Sequence, residues 1–157
     1  MNPFFATNFG IYESIASDAF QKMKFSNANN RKPKTDGSDG WIITYDPTHT
    51  SFKNAIISIV FTGMWLEAIL HLEIIKKFGE DQFKKYDFKP YEEKLKLIGI
   101  KDKVFLEKVS RFKRTRKELI HEKAHFDSGE IKTAQSEAEN AFEIRKAVIA
   151  HLSKKVS

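Results

Sequence analysis

Ser51 to Leu70 reads SFKNAIISIVFTGMWLEAIL. Ala55, Ile56, Ile57, Ile59, Val60, Phe61, Met64, Trp65, Leu66, Ile69 and Leu70 leave little polar face, and Leu72 and Ile75 extend the pattern toward Phe78. A helix that is apolar nearly all round belongs at the centre of a protein, covered by others. The stretch predicts a long central helix from about Ser51 to Phe78, inside an all-α bundle. Glu67 and His71 interrupt it, about one helical turn apart. The pair is expected to satisfy His71 mutually, whereas a buried Glu67 needs a cationic partner.

Outward from this helix, a first helix is expected from about Gly10 to Lys24, with Ile11, Ile15, Ala19 and Phe20 as its apolar members. SNANNRKPKTDGSDG, residues 26–40, reads as a flexible loop. Trp41 to Tyr45 reads as a short strand or extended segment. Gly79 to Pro90 reads as a polar connection and Tyr91 to Leu97 as a short helix. A second long helix starts near Lys101, with Val104, Phe105, Leu106, Val109, Phe112, Leu119 and Ile120 apolar. Asp127 to Glu130 resembles a capping box opening a final helix through about Lys154. The expected architecture is one domain over 1–157, a bundle of four to five helices with at most a minor short strand pair.

The chain has 157 residues, no cysteine, a formal charge of +6 and a sequence pI near 9.4. The lack of cysteine removes disulfides, cysteine-type zinc sites and a thiol nucleophile. MNPFFATNFG lacks a basic n-region and a long apolar h-region. The most apolar run, Lys53 to Glu67, is shorter than the ~20 residues of a membrane span. A soluble cytoplasmic protein with no membrane partner is therefore expected. The charge fits a polyanion partner. It is concentrated in residues 101–125, with nine Lys or Arg against four Asp or Glu. RFKRTRK, residues 111–117, has five basic residues and no acid.

Directly after that run stands RKELIHEKAH, Arg116 to His125, which holds two motifs sharing one histidine. His121-Glu122-x-x-His125 has the spacing of a zinc peptidase, with Glu122 as base and Glu137, Glu139 or Glu143 as a third ligand. Against it, Lys123 puts a cation inside the motif, the expected cap at Asp127 ends the helix at His125, and little strand is available to align a peptide. The other motif is R-x4-H, Arg116 with His121. Metal-free RNA cleavage needs a group titrating near neutrality, which His supplies. It also needs a fixed cation for developing phosphate charge, which Arg supplies. On an ideal helix residues five apart lie about 140° apart. Arg116 and His121 can then cooperate only through a distorted helix end, a wrapped Arg side chain, or a second copy completing the site.

In SFKNAIISIVFTGMWLEAIL, RTRKELIH and the closing AFEIRKAVIAHL, the chain resembles the HEPN domain (higher eukaryotes and prokaryotes nucleotide-binding) over about residues 50–153. The resemblance implies a metal-independent endoribonuclease with no cofactor, acting on RNA from a homodimer. Arg116 and His121 would be catalytic, and Glu67 would support Arg116. Arg111, Lys113, Arg114, Lys117 and His125 are expected to bind RNA phosphates, and Arg114 offers an R-x6-H alternative. The residue after the motif arginine, commonly Asn, Asp or His in that family, is Lys117 here. Toxin and defence settings belong to the family, with an antitoxin or regulatory protein as a further partner. The rival readings are a non-catalytic helical module that binds RNA or protein, and the zinc peptidase.

Overall fold

The computed structural model describes residues 7–44, 46–121 and 134–154, and the side chains of these except Ile43 and His121. Six helices and one strand pair follow in the order α1 (Phe9–Asn29), β1 (Arg31–Pro33), β2 (Trp41–Ile43), α2 (Thr50–Phe78), α3 (Glu80–Tyr86), α4 (Tyr91–Leu97), α5 (Lys103–His121) and α6 (Ala134–Ser153). The fold is mainly all-α, as the apolar pattern predicts.

Local chemistry sets where the helices begin and end. The Asp46 carboxylate accepts the Thr48 N–H at 2.9 Å and the Thr50 N–H at 2.8 Å, so it gathers orphan donors at the α2 start. Hydrogen bonds from Thr48 hold its pKa below the ordinary carboxylate value. Gly79, at φ 82°, ends α2 where a residue with a Cβ would be strained. Asp102 caps α5, its Oδ1 accepting the Phe105 N–H at 2.7 Å. Acids in the first turn and lysines in the last oppose the dipoles of α3 and α4.

As expected, α2 lies at the centre and packs against each of the other five helices. Trp65, Leu66, Ile59, Leu70 and Ile74 from α2 meet Met23 of α1, Leu95 of α4, Phe112 and Val109 of α5, and Ile144 and Val148 of α6 in one core. Counted over its full length, α2 is long and apolar enough to cross a membrane, further than the run to Glu67 suggests. A core helix passes the same test, and 56% of its most apolar window is buried in the bundle.

Three expectations need correction. The segment 26–40 is not one loop: α1 continues to Asn29, and β1 pairs antiparallel with β2 in the register Arg31↔Ile43, Lys32↔Ile42, Pro33↔Trp41. The α1 extension is tied down by tertiary contacts, because Ser51 donates its hydroxyl to Asn27 and accepts from Gln135 of α6. That tie outweighs the weak helix propensity of its Ser and Asn residues. The connection 79–90 contains α3, so the described residues form six helices rather than four or five. His71 does not pair with Glu67; its ring stacks on Phe83 with centroids 3.7 Å apart. Burial there pushes the imidazole pKa down. The proposed capping box at Asp127 to Glu130 lies outside the described residues.

Candidate nucleic-acid interface

Arg116 is held where α5 crosses α2. At the crossing α2 presents Gly63, and a Cβ built there would lie 2.3 Å from both Cδ and Nε of Arg116. Only a residue without a side chain lets the Arg116 stem lie against the α2 backbone. The guanidinium Nη1 donates to the Tyr91 hydroxyl at 3.0 Å. Tyr91 in turn donates to Glu67 Oε2 at 3.3 Å. Glu67 stands one turn beyond Gly63 on α2 and is exposed, rather than buried as its place in so apolar a helix suggests. Its charge reaches Arg116 through a phenol rather than by direct ion pairing, so the expected support takes an indirect form.

Tyr91 opens α4 and is buried. Burial pushes its pKa up to about 12, against the counter-effect of Arg116, so the hydroxyl stays protonated and can donate. The linkage has a definite sign. An unfolded tyrosine ionises near pH 10.0, whereas folded Tyr91 holds its proton to about 12. Its contribution to stability is fully present below pH 10 and is lost as pH rises through that window. Thermal melts of wild type and Tyr91→Phe from pH 9 to 12 check this, since the variant lacks that part of the alkaline decline.

The other basic residues of the run from Arg111 to Lys117 divide into two sets. Arg111 donates from Nε and Nη2 to Glu137, a carboxylate only 1% exposed that also accepts the Thr115 hydroxyl at 3.1 Å. Lys113 lies 3.2 Å from Glu92. These two cations already have carboxylate partners, although half of the Arg111 side chain stays exposed. Arg114 and Lys117 are exposed on the outer face.

The helix is regular to His121, which removes a distorted end within the described residues as a way of joining Arg116 to His121. The Arg116 head is turned into the α2–α4 seam, which removes wrapping. By helical geometry the His121 backbone falls within about 20° of Arg114 and about 140° from Arg116. His121 thus occupies the outer stripe of Arg114 and Lys117. The His121 side chain, Glu122 and His125 lie outside what is described.

Of the zinc-ligand candidates, Glu137 is held by Arg111 and Thr115, and Glu139 lies 2.9 Å from Lys24. No group of three metal-binding side chains occurs among the described residues. Sequence reasoning missed Tyr91, which reads as an apolar core member in step with Leu95 and Ile98, and Gly63, which did carry a signal. A glycine inside a helix costs about 1 kcal/mol relative to alanine, so one in an apolar helix marks a close approach. No protein-family model, curated protein or solved structure matches the chain.

Proposed function

We propose that the protein is a HEPN-like RNA-binding protein with metal-independent endoribonuclease activity on single-stranded RNA, completed by a second copy of the chain. The observation that carries this reading is the prepositioned Arg116, seated on Gly63 and hydrogen-bonded to Tyr91. A guanidinium fixed before substrate arrives stabilises phosphate charge without reorganising. In the reaction, the ribose 2′-hydroxyl gives its proton to water as its oxygen bonds to the adjacent phosphorus, and the bond to the 5′-oxygen breaks. A proton passes to the departing oxygen, leaving a 2′,3′-cyclic phosphate and a 5′-hydroxyl. His121 suits the acid role, because an imidazole ordinarily titrates near neutrality. Arg116 balances the phosphate charge, and Arg114 and Lys117 hold neighbouring phosphates.

The separation of Arg116 from His121 around α5 favours a second reading, a helical module that binds RNA without cutting it. One experiment distinguishes them. Purified protein is incubated with single-stranded RNA with and without EDTA, beside Arg116→Ala, Arg114→Ala and His121→Ala. EDTA-resistant cleavage lost in the His121 variant and in one arginine variant supports the nuclease. Binding without cleavage by any form supports the module. Stoichiometric zinc lost in His125→Ala would overturn both in favour of a peptidase.

A further inference from the structure

The hairpin of β1 and β2 stands apart from the chemistry above. Its two strands are three residues each, and β1 is exposed along its length. It carries Arg31, Lys32 and Lys34 on one strand and its exit, and Trp41 and Ile42 on the other. Trp41 is 61% exposed and Ile42 51% exposed. A large aromatic left in water beside several cations has a cost that folding of this chain does not explain. The hairpin is nonetheless well defined. Lys34 N–H donates to the Gly40 carbonyl at 3.2 Å, Thr44 N–H to the Asn30 carbonyl at 2.8 Å, and the Asp36 carboxylate accepts from Ser38 within the turn.

We infer that this hairpin is a second RNA contact, with Trp41 stacking on an unpaired base while Arg31, Lys32 and Lys34 engage the flanking phosphates. The inference rests on the RNA reading above and adds a site to it. Base–aromatic stacking tolerates any base, and a positively charged ribbon follows the backbone, the two devices by which proteins hold single strands. The register supplies the geometry. Trp41 pairs with Pro33 and so shares a face with Arg31 two residues away, while Lys32 pairs with Ile42 on the other face. A strand stacked on Trp41 therefore has Arg31 on its own face, and Lys32 and Lys34 add positive charge from the other face of the two-stranded ribbon. Asp36 and Asp39 at the turn argue against an anionic membrane surface, whose headgroups would press on both carboxylates.

The protein contains a built-in reporter, because its other tryptophan, Trp65, is 1% exposed in the core. Among the described residues Trp65 Nε1 has no hydrogen-bond partner, so Trp65→Phe sacrifices none there. In a Trp65→Phe, His121→Ala background, which leaves Trp41 as the sole tryptophan and blocks cleavage, oligouridylate is titrated in EDTA. Saturable quenching of Trp41 emission is expected. Trp41→Leu is expected to lower affinity about tenfold, the loss of one stacked base. Replacing Arg31, Lys32 and Lys34 together by glutamine should flatten the slope of log affinity against log salt by about 2. RNA binding with unchanged Trp41 emission and undiminished affinity in Trp41→Leu would overturn the hairpin contact and leave the RNA reading standing. No RNA binding by the wild type would overturn both, and a blue shift of Trp41 on phosphatidylserine vesicles would then assign the hairpin to a membrane surface.

Discussion

Replacing His121 by alanine is expected to lower cleavage of single-stranded RNA by about 10²–10⁴-fold, the usual worth of a positioned acid or base. Replacing Arg116 should cost about 10²–10³-fold, the worth of one prepositioned charge-stabilising donor. EDTA should leave the wild-type rate unchanged. Helical geometry keeps the two residues apart on one chain, so the stronger test is to mix them. Suppose Arg116 of one copy serves His121 of the other. A mixture of inactive Arg116→Ala and His121→Ala proteins then forms mixed dimers, each with one intact site. Activity should return to about one quarter of wild type if the copies exchange freely. Mixtures that stay inactive would sink the shared site. Should Arg114→Ala, and not Arg116→Ala, abolish cleavage, the working arginine is the one on the His121 stripe.

The second large effect concerns Gly63. Gly63→Ala places a methyl group 2.3 Å from the Arg116 stem and must displace it from Tyr91. Overpacking of this kind costs about 1–3 kcal/mol, or roughly 2–4 °C of Tm per kcal/mol in a chain of this size. The same substitution in an Arg116→Ala background meets no stem. There alanine should stabilise α2 by about 0.8–1 kcal/mol through helix propensity alone. The reversal of sign between backgrounds is the coupling that a double-mutant cycle measures. Equal effects in both backgrounds would mean that Gly63 does not seat Arg116. Under the nuclease reading, Gly63→Ala also lowers cleavage without touching a reacting group.

The central helix was legible because thirteen apolar residues leave almost no face for water, a pattern that a helical bundle accommodates at its centre. The short helix α4 and the long helix α5 were legible for the same reason, through their apolar periodicity. α3 was hidden because none of its residues is buried, so no hydrophobic period marks it. Strand β2 was legible in Trp41 to Tyr45, whereas its partner β1 was hidden because three residues are too few to show alternation, and the Asn, Gly and Pro around them read as loop. Within the site, Glu67 and Arg116 were legible as an acid and a base in one neighbourhood. Tyr91 between them was not, because the link joins residues 25 positions apart in sequence and only the folded packing of α4 brings them together.

The central position of α2 also governs how the protein comes apart. A helix touching all five others ties α1, α4, α5 and α6, which all bury residues against it, into one shared core, so these helices should unfold as one cooperative unit. The hairpin has its sizeable contact with α1 alone among the described residues, outside that unit. Its backbone amides should therefore exchange with solvent hydrogen through small local openings, while those of Ile59 to Leu70 wait for global unfolding. The chain thus combines a slow-opening body with a fast-opening arm, and the arm is the part that carries Trp41.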